Sequence, residues 1–329
     1  MSMRSMLAGL LCLPIVAGCS AQQSAFHPTG HDAEQINALF WMMTWGGIAI
    51  FVLVIVLASV AILGSQSLRQ RLAGEGLVKW LGIAFPVVVL TALLVYGFVL
   101  LQAGSQAEAR GTALRIAVSG EQWWWRVTYE MADGRRVESA NEIHLPVGEA
   151  VTLDLTTADV IHSFWAPSLA GKLDMIPGRT NQMTVTATKA GITRGQCAEY
   201  CGGAHAFMAF HVVAQTPELF EAWLAQEGAD AQPPGDERQE RGQDLFLSSG
   251  CGGCHAVRGT AADGTIGPDL THVGARHSLA AATLPNTAEA FAAFIVNNQH
   301  IKPENRMPPY GIFLDDQLAD LASYLEGLR

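Results

Sequence analysis

The stretch GQCAEYCGGAHAFM, Gly195 to Met208, carries two thiols, an imidazole and a thioether: Cys197, Cys201, His205 and Met208. These are soft or borderline donors, and thiolate with imidazole and thioether selects copper over magnesium or calcium. Zinc accepts Cys and His, but a thioether is a poor zinc ligand. A mononuclear copper site of this kind needs one cysteine, so two suggest that both sulfurs bridge a pair of copper ions. The three residues between the cysteines bow the backbone, which lets a main-chain carbonyl point inward. One more histidine is required, and DVIHSFWAPSLAGKLDMIPGR, Asp159 to Arg179, supplies His162 at the end of a strand.

A second cysteine pair lies in CGGCH, Cys251 to His255. Two cysteines with a two-residue spacer and an adjacent histidine form the c-haem attachment signature, with Cys251 and Cys254 as thioether anchors and His255 as proximal ligand. A thioredoxin-like redox pair would expect a βαβ setting and has no use for the histidine. The sixth iron ligand should be methionine or histidine. Met307, in NRMPPYG, is the single methionine after the motif, and the prolines behind it predict a non-helical loop turned to the iron. His272, His277 and His300 are the alternatives, and otherwise read as surface histidines. Disulfides are the competing use of these thiols in an exported protein. Neither pair closes a loop long enough to stabilise much.

The elements that must position these groups begin with a membrane portion. The chain has 329 residues, of which 50% are hydrophobic and 15% charged, too apolar for a plain soluble protein. The net charge of −10 and the lack of a basic run exclude a nucleic-acid face. Residues 1–18 read as an export signal: Arg4, then the apolar run Met6 to Ala17, then VAGC ending at Cys19, which resembles the lipobox of bacterial lipoproteins. Cys19 would then be lipidated, and Cys12 falls in the discarded piece. After an exported segment, 19–38, a transmembrane hairpin is expected over 39–101. Leu39 to Leu63 and Trp80 to Leu101 contain no charged residue. At ~1.5 Å per residue the first reaches roughly 37 Å, enough to span with tilt. The connection carries Arg69, Arg71 and Lys79 against Glu75, which places it in the cytoplasm and everything after about Gln102 outside.

Over 102–215 short alternating stretches follow, among them LRIAVSG, WWWRVTYE, AVTLDLTTA, QMTVTATKAG and FHVVAQ, a pattern that predicts an antiparallel β-sandwich. Residues 216–235 read as a short helix capped by Thr216 and Pro217, then the flexible linker EGADAQPPGDE. Residues 236–329 read as all-helical. In the last helix Leu318, Leu321, Ala322 and Leu325 share one face.

The motifs GEQWWWRVTY, DVIHSFWAPSLAGKLDMIPGRTNQ and GQCAEYCGGAHAFM, together with the hairpin ahead of them, resemble subunit II of cytochrome c oxidase. GPDL, Gly267 to Leu270, resembles the loop that supports the proximal histidine in class I c-type cytochromes, and a cytochrome fused at this end resembles the caa3-type oxidases. The resemblance implies three parts: a two-helix anchor, a cupredoxin-like sandwich and a class I cytochrome c domain. It implies a dinuclear copper-A centre on His162, Cys197, the Glu199 carbonyl, Cys201, His205 and Met208. The Glu199 carboxylate would reach a magnesium ion shared with subunit I. Trp123 corresponds to the tryptophan through which the family takes in electrons, with strand core as the plainer use of Trp123 to Trp125. Asp174 corresponds to a residue near the copper, while His144 and His211 read as structural. The family's glutamate near the second helix has only Glu75 to match it, in a doubtful register.

The implied partners are subunit I, subunit III, a cytochrome c donor and the bacterial plasma membrane, with both metal domains on the periplasmic side. A copper-A subunit of a nitric oxide reductase and a membrane-anchored copper-delivery protein are the rival readings.

Overall fold

The structure is a computed structural model that describes residues 21–109, 114–131 and 133–329. The export signal, Cys12 and Cys19 lie outside the described residues. The chain divides into two units, Glu34–Gly111 and the remainder.

In the first unit, helix His31–Leu63 continues two turns ahead of the uncharged run, through its polar first residues. Glu75–Lys79, a π-helical turn Trp80–Ala84 and Phe85–Ala109 form the second helical stretch. The wide turn sits just before Pro86, whose ring has no N–H to give and crowds the carbonyl four residues back. His31–Leu63 and Glu75–Gln102 are each long and apolar enough to cross a membrane. Their apolar side chains are exposed along most of their length. Glu75 pairs with Lys79 at 3.0 Å, one helical turn away.

The second unit opens with ten strands: β1 Leu114–Glu121, β2 Trp124–Glu130, β3 Arg136–Ala140, β4 Glu142–Pro146, β5 Ala150–Thr157, β6 His162–Trp165, β7 Leu173–Met175, β8 Asn181–Thr186, β9 Gly191–Cys197 and β10 Ala209–Gln215. They form two five-stranded sheets, ordered β3-β2-β1-β5-β8 and β4-β10-β9-β6-β7. Alternation along β1 sends Ile116 and Val118 inward and their neighbours outward. The contacts β1–β5 and β4–β10 are parallel and the other strand pairs of the two sheets antiparallel. Between the sheets Trp125, Phe164 and Phe210 pack ring on ring, with centroids 4.7 to 6.0 Å apart.

Helix Pro217–Glu227 follows, its Thr216 side chain accepting the Leu219 N–H. The last region holds helices Glu237–Ser248, Ala288–Ile301 and Asp315–Gly327 around Phe246, Phe291, Leu321, Tyr324 and Leu325. It is not purely helical: β11 Ala256–Val257 pairs with β12 Ala262–Asp263, and β13 Ser278–Leu279 with β14 Leu284–Pro285.

The linker that composition marks as flexible is fastened down. Ala231 N–H donates to the Arg258 carbonyl at 3.0 Å, and the Arg258 guanidinium binds the Glu227 and Ala229 carbonyls and Asp269. The sandwich and the helical region also meet directly. Ala209 N–H donates to the Ala281 carbonyl at 3.2 Å, and Arg126 to the Thr265 carbonyl at 2.8 Å. Buried Glu142 accepts the His277 backbone N–H at 2.5 Å and faces its Nδ1 at 3.1 Å.

Candidate metal centres

The rim of the sandwich brings four elements to one point. β6 begins at His162, β9 ends at Cys197, the loop 198–204 carries Cys201, and a 3-10 turn His205–Phe207 leads to Met208 ahead of β10. Two backbone bonds fix the loop: Cys197 N–H to the Met208 carbonyl at 2.8 Å and Ala198 N–H to the Ser163 carbonyl at 2.9 Å. The sulfurs of Cys197 and Cys201 then lie 3.8 Å apart. His162 Nδ1 is 3.7 Å from Cys197 Sγ, and the Glu199 carbonyl oxygen 3.2 Å from it. On the other side, His205 Nδ1 and Met208 Sδ stand 3.4 and 3.8 Å from Cys201 Sγ. All six groups named from the sequence thus converge, and no cysteine among the described residues is in a disulfide.

The electrostatics suit a cation. The Cys201 hydrogen bond, with help from His162, brings the Cys197 thiol down to about 4. That charge in turn pushes the Cys201 thiol far up. The sulfurs therefore share a single negative charge by themselves, and only positive charge between them can hold both as thiolates. His162, Cys197 and Cys201 are buried and present their donor atoms within 4.8 Å of one another. The donor set fits copper.

His162 is aimed by residues that spacing alone did not reveal. Its Nε2 bonds Asp159 Oδ1 at 2.8 Å, leaving Nδ1 toward the sulfurs. Asp159 is itself held by the N–H groups of Gln122 and Val160, each at 2.7 Å. Burial favours neutral His162 and neutral Asp159, but the contacts of His162 with Cys197 and then Asp159 raise the histidine, and the bonds from His162, Gln122 and Val160 lower the carboxyl. Gly120 makes room for the ring, since a Cβ there would stand 2.7 Å from it. DVIH, with an acid three residues before the histidine, was the available signal for Asp159.

The three tryptophans have three uses. Trp125 is fully buried sandwich core. Trp124 lies under the Arg126 guanidinium at 4.7 Å. Trp123 is 5% exposed and donates its indole N–H to the Cys201 carbonyl at 3.1 Å, which Gln122 also reaches at 2.8 Å. The Glu199 side chain is exposed at the rim, and Asp174 lies in β7 beside β6, paired with Ser163. His144 is buried in β4 and stacks on Trp223 at 3.7 Å.

The second site is a cavity of about 1600 Å³ counting its mouth, walled by Cys251, Cys254, His255 and Met307. Phe246, Leu270, Phe291 and Leu325 give it an apolar lining. His255 Nδ1 lies 2.8 Å from the Pro268 carbonyl, the orientation that leaves Nε2 free to ligate. Burial lowers its pKa and keeps the imidazole neutral. A Cβ at Gly267 would stand 2.5 Å from this ring, so GPDL is a cradle cut to the histidine. The cavity and its donors fit a c-type haem. Of the candidate sixth ligands Met307 lines the cavity, whereas His272, His277 and His300 do not. His272 is not the surface histidine expected: it is buried, with Nε2 3.1 Å from the Ala229 carbonyl. The cavity is also walled by Gln122, Trp123 and Asn141 of the sandwich.

Residues 126–215 match the family described as cytochrome c oxidase subunit II, periplasmic domain, and residues 239–329 match the cytochrome c family. Cytochrome c oxidase subunit 2 of Alkalihalophilus pseudofirmus is 30% identical over 326 residues, covering 95% of this chain and 94% of that relative. The Bacillus subtilis subunit 2 is 30% identical over 257 residues, covering 75% and 70%. Among solved structures, the periplasmic domain of subunit II of the Bradyrhizobium japonicum cytochrome oxidase is 32% identical, with TM-score 0.34, covering 36% of this chain and 98% of that one.

Proposed function

This chain belongs to the cytochrome c oxidase subunit II family, and from that premise we propose that it takes electrons from a cytochrome c donor at a covalent haem and delivers them through a dinuclear copper-A centre to subunit I, where oxygen is reduced to water and protons are pumped. The family membership carries the electron-transfer role, the cytochrome-c oxidase assignment and the association with subunit I. The remainder is our reading of the residues.

His162, Cys197, the Glu199 carbonyl, Cys201, His205 and Met208 would hold the copper pair. Cys251 and Cys254 would carry the haem, with His255 and Met307 as its axial ligands. The exposed Glu199 carboxylate would complete a magnesium site with subunit I, and subunit III would complete the complex. When bound, iron and copper each take up and release an electron with no bond to the substrate made or broken. The polypeptide's part is to hold donors still. Asp159 fixes the His162 ring, the two backbone bonds fix the loop, and the dry sandwich core limits solvent rearrangement.

The observation that carries the reading is the place of Trp123. Trp123 lines the cavity proposed for the haem, and its indole N–H donates to the carbonyl of Cys201, a proposed copper ligand. The route between centres is therefore within one chain, at high effective concentration. The reading puts both apolar helices across the bacterial plasma membrane, the metal domains on its periplasmic side, and a processed, lipidated Cys19 ahead of them.

The test is the purified complex. Two copper per covalent haem in addition to the copper of subunit I, a delocalised mixed-valence copper signal and oxygen uptake with reduced cytochrome c are expected. Nitric oxide consumption without oxygen uptake would refute the terminal acceptor. Fewer than two copper per haem beyond the subunit I copper would refute the dinuclear centre.

A further inference from the structure

Among the described residues, Lys302 is a buried lysine with no carboxylate partner, and the one anionic group that acts on it is the Cys201 thiolate on the copper side. Its side chain lies in the wall of the haem cavity, the residue is 4% exposed, and its ammonium donates to the Ala280 carbonyl at 3.0 Å. An ammonium has three N–H donors, and one neutral carbonyl answers only one of them. Burying such a charge unpaired is costly, because its hydration is lost and nothing replaces it. No carboxylate among the described residues forms an ion pair with it. The two acidic residues that share its cavity are engaged elsewhere: Glu121 with Arg126 at 2.7 Å, and Asp159 with His162 at 2.8 Å. The other cations in the wall are Arg276, which donates one N–H to the Asp269 carbonyl at 2.6 Å but leaves its buried Nε unpartnered, and Arg306.

A second polar group in the same wall is also unanswered. Ser278 is 8% exposed and its Oγ has no hydrogen-bond partner. Ser278 and Ala280 belong to one loop, and that loop is the part of the helical region pressed on the sandwich, through Ala281 to Ala209 and His277 to Glu142. Ala280, Ala281 and Ala282 all have φ between 54° and 61°. Three successive non-glycine residues in the left-handed region are a costly way to shape a loop. The shape turns the Ala280 carbonyl to the Lys302 ammonium and the Ala281 carbonyl to the copper domain.

We propose that Lys302, assisted by Ser278, receives a carboxylate of the bound haem on the side of the cavity that the copper domain walls. The inference rests on the haem reading above. A porphyrin of the c-type brings two propionates into an otherwise apolar cavity, and each needs a cation or donors as much as Lys302 needs an anion. Lys302 is thus a positioning residue. It does not touch iron or copper; Cys251, Cys254 and His255 would set which haem edge faces Trp123, Gln122 and Asn141, and Lys302 would hold the charge of the haem carboxylate there.

The test uses the full chain in the assembled oxidase. Lys302→Met should keep the haem covalently attached, by its alkaline pyridine spectrum, while its midpoint potential falls. A propionate stripped of its counter-ion stabilises ferric iron, and a roughly tenfold change in the oxidised-to-reduced ratio at fixed potential is about 59 mV for one electron. The potential of Lys302→Met should also acquire a pH dependence from the freed carboxylate, visible as a carboxyl band in redox-difference infrared spectra. Lys302→Arg should restore the wild-type profile, and Ser278→Ala should shift the potential in the same direction by less. If Lys302→Met does not accumulate, the Ser278→Ala shift and its infrared band decide. Attached haem with an unchanged potential and no new carboxyl band would overturn this proposal alone. A wild-type chain carrying no covalent haem would instead overturn the function proposed above, and this inference with it.

Discussion

The copper loop and the haem cavity are built on opposite plans. In the loop the donors already converge: the Cys197 and Cys201 sulfurs, two imidazoles, a carbonyl and a thioether stand 3.2 to 3.8 Å from their neighbours, pinned by backbone bonds to β6 and β10. In the cavity the donors stand on separate walls, Cys251 to His255 on one and Met307 on another, with Ser278 Oγ unpaired and Lys302 short of an anion. At each site one proposed ligand histidine rests on a glycine and is turned by an oxygen on the far nitrogen, Asp159 for His162 and the Pro268 carbonyl for His255. The difference is in what supports the walls. The copper loop leans on a closed sandwich core that needs no metal, whereas the core of the helical region borders a large cavity that the proposed haem would fill. Copper should contribute to function with little effect on fold, and haem should contribute to both.

The strongest way to break this contrast is to remove the anchors. Replacing Cys251 and Cys254 with alanine should eliminate covalent haem and leave the helical region open to proteolysis, while copper binding persists. Replacing Cys197 or Cys201 with serine should do the converse: the delocalised two-copper resonance disappears, while haem attachment and the thermal unfolding of both domains change little. Equal unfolding losses in the two experiments would show that the sites are not built differently. Next in size is Met307→Ala, which should keep the haem attached but change its axial-ligand spectrum and potential. An unchanged spectrum would remove Met307 from the iron.

A smaller change sharpens the comparison without touching a ligand. Gly120→Ala should push the His162 ring off its line with the sulfurs, because the new methyl would sit 2.7 Å from it. Copper affinity should fall by roughly 10–100-fold, the scale of a disturbed outer shell. Asp159→Asn should act in the same direction, since it removes the charge that orients the ring. Titration of the copper-depleted complex with Cu(II) under reducing conditions measures both.

The ligands were legible because they are soft donors crowded into short motifs. Cys197, Cys201, His205 and Met208 fall within one stretch, CGGCH is contiguous, and Met307 stands out as the single methionine after it. The residues that aim them were not. Gly120 acts from another strand, and Asp159, although only three residues before His162 in DVIH, has no side-chain chemistry that marks it as unusual. Strands such as β3, RVESA, and β7, LDM, are too short and polar for alternation to reveal them. The linker was misjudged for a physical reason. Its Gly, Pro and Asp content describes a chain that cannot build its own core, but Arg258 satisfies its carbonyls from outside. The seating of one domain on the other was equally hidden, because it depends on pairs such as Glu142 and His277, 135 residues apart.

That pair sets the smallest and most specific prediction. Glu142 is buried, yet the His144 and His277 hydrogen bonds outweigh burial and hold it at about 2. Its contribution is complete above the ordinary carboxylate value and is lost only as pH falls toward about 2. His277 is raised, chiefly by its Glu142 bond, so its contribution is complete below its ordinary 6.5 and is lost as pH rises through the raised value. His211, whose ring centroid is 6.3 Å from that of His277, is lowered by burial and works in the opposite sense, favouring the folded state above 6.5. The seating of the helical region should therefore weaken on the alkaline side of neutrality. A hydrogen bond to a charged partner is worth about 1.5–3 kcal/mol. The 37% exposure of the His277 side chain brings the expected loss toward the lower end of that range or below it. Unfolding of the haem domain in the intact complex, followed by haem absorbance across about pH 5 to 9, should show this decline in the wild type. Glu142→Gln keeps an acceptor for the His277 N–H but removes the charge that raises the ring, so it should lower the acid-side stability and flatten the curve. A parallel decline in the variant would mean that the pH response arises elsewhere in the interface.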